Sequence, residues 1–163
     1  MKSNYIKAAF SDEASLYIGK RTCDSYIIFT RYKHIQGLSN SQLFALGKLD
    51  KYMDETRFKT GHITKTISIK KALAILSNKY NLDKILVIPP NLLKDESDIL
   101  NKFGIEHRIW PRNLNKTHLG NYSLGFDIII NKNKSITQFY KKAGFILSKK
   151  QEKLKKIISN LSK

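Results

Sequence analysis

The stretch that most constrains this fold is SLYIGKRTCDSYIIFTRYKH, residues 15–34. It reads as two strands joined by a turn around Thr22 to Asp24. The second strand, Tyr26 to Tyr32, is rich in β-branched and aromatic side chains. Both strands end in basic residues, Lys20 and Arg21 on the first and Arg31, Lys33 and His34 on the second. Upstream, residues 4–14 have helical spacing, with Ile6, Ala9 and Phe10 on one stripe. Two adjacent carboxylates, Asp12 and Glu13, stand where that helix meets the first strand.

The later chain repeats the mixture of element types. SNSQLFALGKLDKYMDE has a Ser or Asn cap and helical spacing of Leu43, Leu46 and Leu49, and SIKKALAILSNKYN predicts a further helix. DKILVIPP predicts a buried strand ended by two prolines. NLLKDESDILNKFGI predicts a helix stopped at Gly104. EHRIWPR and NYSLGFDIII predict two strands around a polar loop with Gly120. SITQFYKKAGF then predicts a Ser-capped helix ending at Gly144, and SKKQEKLKKIISNLSK a final basic helix. No low-complexity linker divides the chain, so a single domain over 1–163 is expected.

Charge narrows the function. Thirty Lys and Arg against thirteen Asp and Glu give a formal net charge of +17. A chain this basic repels itself without an anion nearby, which points first to nucleic acid and then to anionic membrane or ribosomal surfaces. A codon bias toward Lys, Asn and Ile adds lysines, but it does not account for the scarcity of acids. Cys23 is the sole cysteine, so no intrachain disulfide forms. The longest apolar runs, KILVIPP and GFDIII, are too short to span a bilayer. A soluble intracellular protein, cytoplasmic or organellar, is the expectation. His34, His62, His107 and His118 lack metal-ligand spacing with one another or with Cys23. The glycines form neither a P-loop nor a dinucleotide fingerprint.

The acidic pair admits two readings. If the helix ends there, both carboxylates sit at the negative end of its dipole, at a cost of some tenths of a kcal/mol per charge. Glu13 then falls seven residues after Ile6, on the stripe expected to pack. An anion so placed wants a cation, and with no lysine placed to pair on that stripe Mg²⁺ suits it, because Mg²⁺ takes carboxylate, phosphate and water oxygens. If the helix instead starts there, Ser11 is its N-cap and the negative charges are favourable. The β-rich character of SLYIGK and its glycine favour the first reading.

YIKAAFSDEASLYI resembles the motif of LAGLIDADG homing endonucleases, in the form whose helix ends in an acidic pair before a strand. Glu13 matches the motif's metal-binding acid, with Asp12 before it. Ala8 matches the small residue that lets two motif helices pack closely. Lys7, Ser11 and Ala14 depart from the pattern, standing where a small residue, aspartate and glycine are common. The C-terminal half is similar to the family's second half through Gly104-Ile105, Phe139, Gly144-Phe145, Lys150 and Leu154. The resemblance covers residues 4–34 and 83–160 and implies an α+β fold, a LAGLIDADG-like αββαββα unit with a saddle-shaped antiparallel sheet. Residues 35–82 are then an insert, either helical padding at the sheet edge or a small helix-turn-helix element. Within it, ALGKLDKYMD has Gly47 and Asp50 in motif-like places, but Tyr52 where an acid belongs, and reads as an ordinary amphipathic helix.

The resemblance implies a homodimeric, Mg²⁺-dependent endonuclease cutting double-stranded DNA at a long, roughly palindromic site. It assigns catalysis and metal binding to Glu13 and Asp12, and the dimer interface to Ala8 and Phe10. DNA contacts fall to Lys20, Arg21, Arg31, Lys33, Arg108, Arg112 and Lys116, of which strand alternation lets about half face DNA. Trp110, between Arg108 and Arg112, is a base-stacking or core residue. Two alternatives remain. One is a non-catalytic DNA- or RNA-binding protein on the same fold, a maturase or a regulator. The other is a basic ribosome-associated protein without a site.

Overall fold

The acidic pair closes a helix. In the computed structural model, which describes residues 2–18, 25–48, 79–80, 88–116 and 119–161, helix α1 spans Lys2–Glu13. It is followed by β1 (Ser15–Tyr17), β2 (Tyr26–Ile35) and helical residues 40–48, here α2. Then come α3 (Asn91–Lys102), β3 (Arg108–Lys116), β4 (Tyr122–Ile130), α4 (Asn133–Lys142) and α5 (Ser148–Leu161). The described strands form one sheet in the order β1-β2-β4-β3, and β1 runs antiparallel to β2 with Tyr17 opposite Tyr26. The fold is α+β. Most of the insert, with Asp50, Tyr52 and all but the helical residues 79–80 of the helix expected at SIKKALAILSNKYN, lies outside the described residues, as do residues 83–87 of the strand expected at DKILVIPP.

Contacts divide the chain into two compact units: Met1–Thr30 with Asn91–Trp110 and Asp127–Lys163, and Arg31–Pro90 with Pro111–Phe126. The core of the first is aromatic at its centre. Phe10 of α1 stacks on Phe29 of β2 with ring centroids 4.3 Å apart, and meets Phe139 of α4 at 5.4 Å. Phe145 continues the cluster from Phe139 at 5.3 Å. Ile6, Ile27, Leu93, Leu100, Ile128, Ile136 and Leu154 complete it, all without solvent exposure. On α1 the buried row is Ile6, Phe10 and Ala14, with Ser11 beside it; Ala9 is half-buried and Glu13 exposed. A residue advances 100° along a helix, so positions 6, 10 and 14 keep to one side and 9 turns away from it, while Glu13 is exposed as the last residue of the helix. The expected stripe thus holds at Ile6 and Phe10, is half-buried at Ala9 and fails at Glu13.

Phe10 faces inward completely and belongs to this chain's own core, which corrects its assignment to a dimer interface. Two buried carboxylates in this unit accept hydrogen bonds. Asp127 takes the Thr30 hydroxyl at 2.6 Å, and Glu96 takes the Tyr5 phenol at 3.2 Å. A buried charge without such donors is costly, so these pairs fix how β4 meets β2 and how α3 meets α1. Ser135 is not the cap of α4. The helix begins earlier, at Asn133, and Ser135 is buried within it.

In the second unit Ile35, Ala45, Leu46, Leu114, Tyr122, Leu124 and Phe126 are buried together. The expected cap of α2 is present. The Gln42 N–H donates to Ser39 Oγ at 3.3 Å and the Ser39 N–H donates to Gln42 Oε1 at 3.0 Å, a reciprocal capping box.

Candidate functional site

Helix α1 leaves its last carbonyls without helical partners, as every helix does. Phe10 O is taken by the Ala14 N–H at 3.0 Å. The next two are taken from α5: Lys150 Nζ donates to Ser11 O at 2.6 Å and to Asp12 O at 3.3 Å. Lys153 Nζ, one helical step further, donates to Leu16 O in β1 at 2.8 Å. The loop before α5 adds a fourth tie, in which the Ile146 N–H donates to Ser11 Oγ at 2.5 Å while that hydroxyl donates back to Lys7 O at 2.5 Å. Ser11 is therefore no N-cap, and the helix-start reading fails.

The turn from α4 to α5 aims these donors. Gly144 has φ +68°, a left-handed conformation that lets its N–H return to Phe139 O at 2.8 Å. Gln151 Oε1 then accepts the Phe145 N–H at 2.7 Å. A Cβ at residue 144 would meet that same amide at 3.0 Å. The turn thus buries Phe145 and presents the first turn of α5 to the end of α1.

Asp12, Glu13, Ala14, Ser15, Leu16, Lys149, Lys150 and Lys153 line the resulting groove of about 370 Å³. Both of its charged edges are locally unfavourable. Carboxylates stand at the negative end of α1, and lysines stand at the positive end of α5, whose first turn contains no acid. The groove brings these opposite charges to one place. This removes one step of the sequence argument: cations for the pair arrive from α5, so its position does not by itself require a metal. The signal was present in SKKQEK, whose lysines open a helix at the wrong end.

Of the other expected site residues, Ala8 is exposed on α1 and open to a partner. Lys20 and Arg21 lie outside the described residues. Along β2, Tyr32 and His34 are exposed, whereas Arg31 and Lys33 share the parity of buried Ile35. Lys33 Nζ donates to Ile88 O at 3.2 Å. Alternation thus turns Arg31 and Lys33 toward the side of buried Ile35, and only about half of the basic candidates were expected to face DNA. Arg108, Arg112 and Lys116 are exposed on β3, with Lys116 Nζ 5.9 Å from the Tyr122 ring centroid, and Trp110 is half-buried. Sequence reasoning missed the Tyr17–Tyr26 pair, stacked at 4.7 Å with Tyr17 half exposed. Burial and the neighbouring Tyr17 phenol push the Tyr26 phenol above its ordinary pKa.

Two adjacent exposed carboxylates are the right donor type for a hard cation, which prefers oxygen. They are too few to hold one alone, and no group of three His, Cys, Asp or Glu suited to a metal occurs among the described residues. The donor set fits Mg²⁺ only where phosphate oxygens and water complete it. No helix among the described residues is long and apolar enough to cross a membrane. Comparison with protein-family models, with curated proteins and with solved structures gives no match.

Proposed function

We propose that the chain is a metal-dependent endonuclease of double-stranded DNA on a LAGLIDADG-like fold, acting as a homodimer. The observation that carries this reading is the exposed Asp12–Glu13 pair at the end of α1, facing three lysines and running directly into the sheet. The order helix, two strands, insert, helix, two strands and helices agrees with the unit the resemblance implies. Mg²⁺, when bound, activates water and stabilises the leaving oxygen in phosphodiester hydrolysis. Glu13 and Asp12 would hold it against the phosphate, with Lys149 exposed in the same groove to meet phosphate oxygens. Ala8, with exposed Ile146 and Leu147 beyond Ser11, offers a small-residue and apolar surface for a second copy. That copy would bring a second acidic pair to the opposite strand.

A non-catalytic DNA- or RNA-binding protein on the same fold is the second reading, favoured by the small number of metal donors per chain. Selection from random duplex DNA in Ca²⁺, followed by Mg²⁺, separates the two. The nuclease predicts a long, near-palindromic enriched site that is cut when Mg²⁺ is added. An enriched site that stays intact leaves the binder.

A further inference from the structure

The ammonium groups of Lys150 and Lys153 do not point to a phosphate. They are spent on the main chain: Lys150 on Ser11 O and Asp12 O, Lys153 on Leu16 O. These three carbonyls bracket the segment that carries Asp12 and Glu13. Together with the Ile146 N–H on Ser11 Oγ, they tie both ends of that segment to α5. We propose that Lys150 and Lys153 are positioning residues that fix the carboxylate pair from behind, a role that rests on the metal-binding reading of Glu13. Lys149, exposed in the same groove, differs in kind, since no carbonyl of the segment is tied to it.

Charge and position pull in opposite directions here, which makes the claim testable by sign. A lysine that acted only through its charge would repel a divalent cation, so its removal would tighten metal binding. A lysine that holds the ligand-bearing backbone does the reverse. Loss of an outer group that orients metal ligands costs roughly tenfold to a hundredfold in affinity.

The test titrates Mn²⁺ into the full chain bound to duplex DNA, followed by electron paramagnetic resonance, and in parallel follows deuterium exchange of the amides of residues 13–16. Lys150→Met is expected to weaken Mn²⁺ about tenfold and to speed exchange there, with Lys150→Arg restoring both. Lys153→Met is expected to speed the same exchange, which keeps the claim open to test if Lys150→Met does not fold. Lys149→Met is expected to leave exchange of the same amides unchanged. Unchanged exchange in Lys150→Met and Lys153→Met, or tighter Mn²⁺ binding by Lys150→Met, overturns the proposal. Should the wild type take up no Mn²⁺ even with duplex DNA bound, the nuclease reading fails, and exchange alone decides whether the lysines hold the segment.

Discussion

Ser11 shows how one side chain can carry a junction. Its hydroxyl donates to Lys7 O and accepts the Ile146 N–H, and it is fully buried. Ser11→Ala leaves that N–H without its acceptor and is expected to cost about 1–3 kcal/mol in urea unfolding, the cost of a buried unpaired donor. A loss too small to resolve would mean that the Ile146 N–H finds another partner. Phe10→Ala is expected to cost more, about 3–5 kcal/mol, because it empties the centre of the Phe29, Phe139 and Phe145 cluster. Tyr26 makes a prediction in pH. Its phenol pKa is raised above 10.0 on folding, so the folded chain holds that proton more tightly than the unfolded chain does. Its contribution is complete below pH 10 and disappears as pH rises through the folded value. The alkaline fall in unfolding midpoint should therefore be shallower in Tyr26→Phe than in the wild type, and equal slopes would contradict the assignment.

Among the elements, the end of α1 and the start of α5 explain each other. Each is a poor helix terminus alone, and a sequence that breaks a local rule at two places commonly does so for a site. Local rules made much of the rest legible. The Ser39 cap, the stop at Gly104 and the positions of α3, β4 and α5 follow from neighbours along the chain. What depends on distant partners did not follow: Ser135 is buried rather than capping, and the lysines of the groove come from residues 149–153. Arg31 and Lys33 were candidates for DNA contact by the resemblance, with about half of the candidates expected to face it; period-two alternation from Ile27 and Phe29 to Ile35 carries these two with the packed side. For duplex binding this predicts that Tyr32→Ala and His34→Ala weaken affinity severalfold, while Lys33→Ala lowers stability more than affinity. Fluorescence anisotropy beside urea unfolding distinguishes these, and a Lys33→Ala effect confined to affinity would reverse the assignment.

For the whole molecule, the formal charge of +17 makes a polyanion the expected partner, with binding that weakens steeply as salt rises. Charge alone does not choose between cleavage and binding, and neither does the α+β architecture, because function resides in the site rather than the fold. The choice falls on two carboxylates. The most direct measurement compares wild type, Glu13→Gln and Asp12→Asn on a duplex selected by the wild type, with binding measured in Ca²⁺ and strand breaks in Mg²⁺. The account predicts comparable binding by all three, cleavage by the wild type, and loss of cleavage by at least about a hundredfold in Glu13→Gln. Cleavage by Glu13→Gln at the wild-type rate would contradict it.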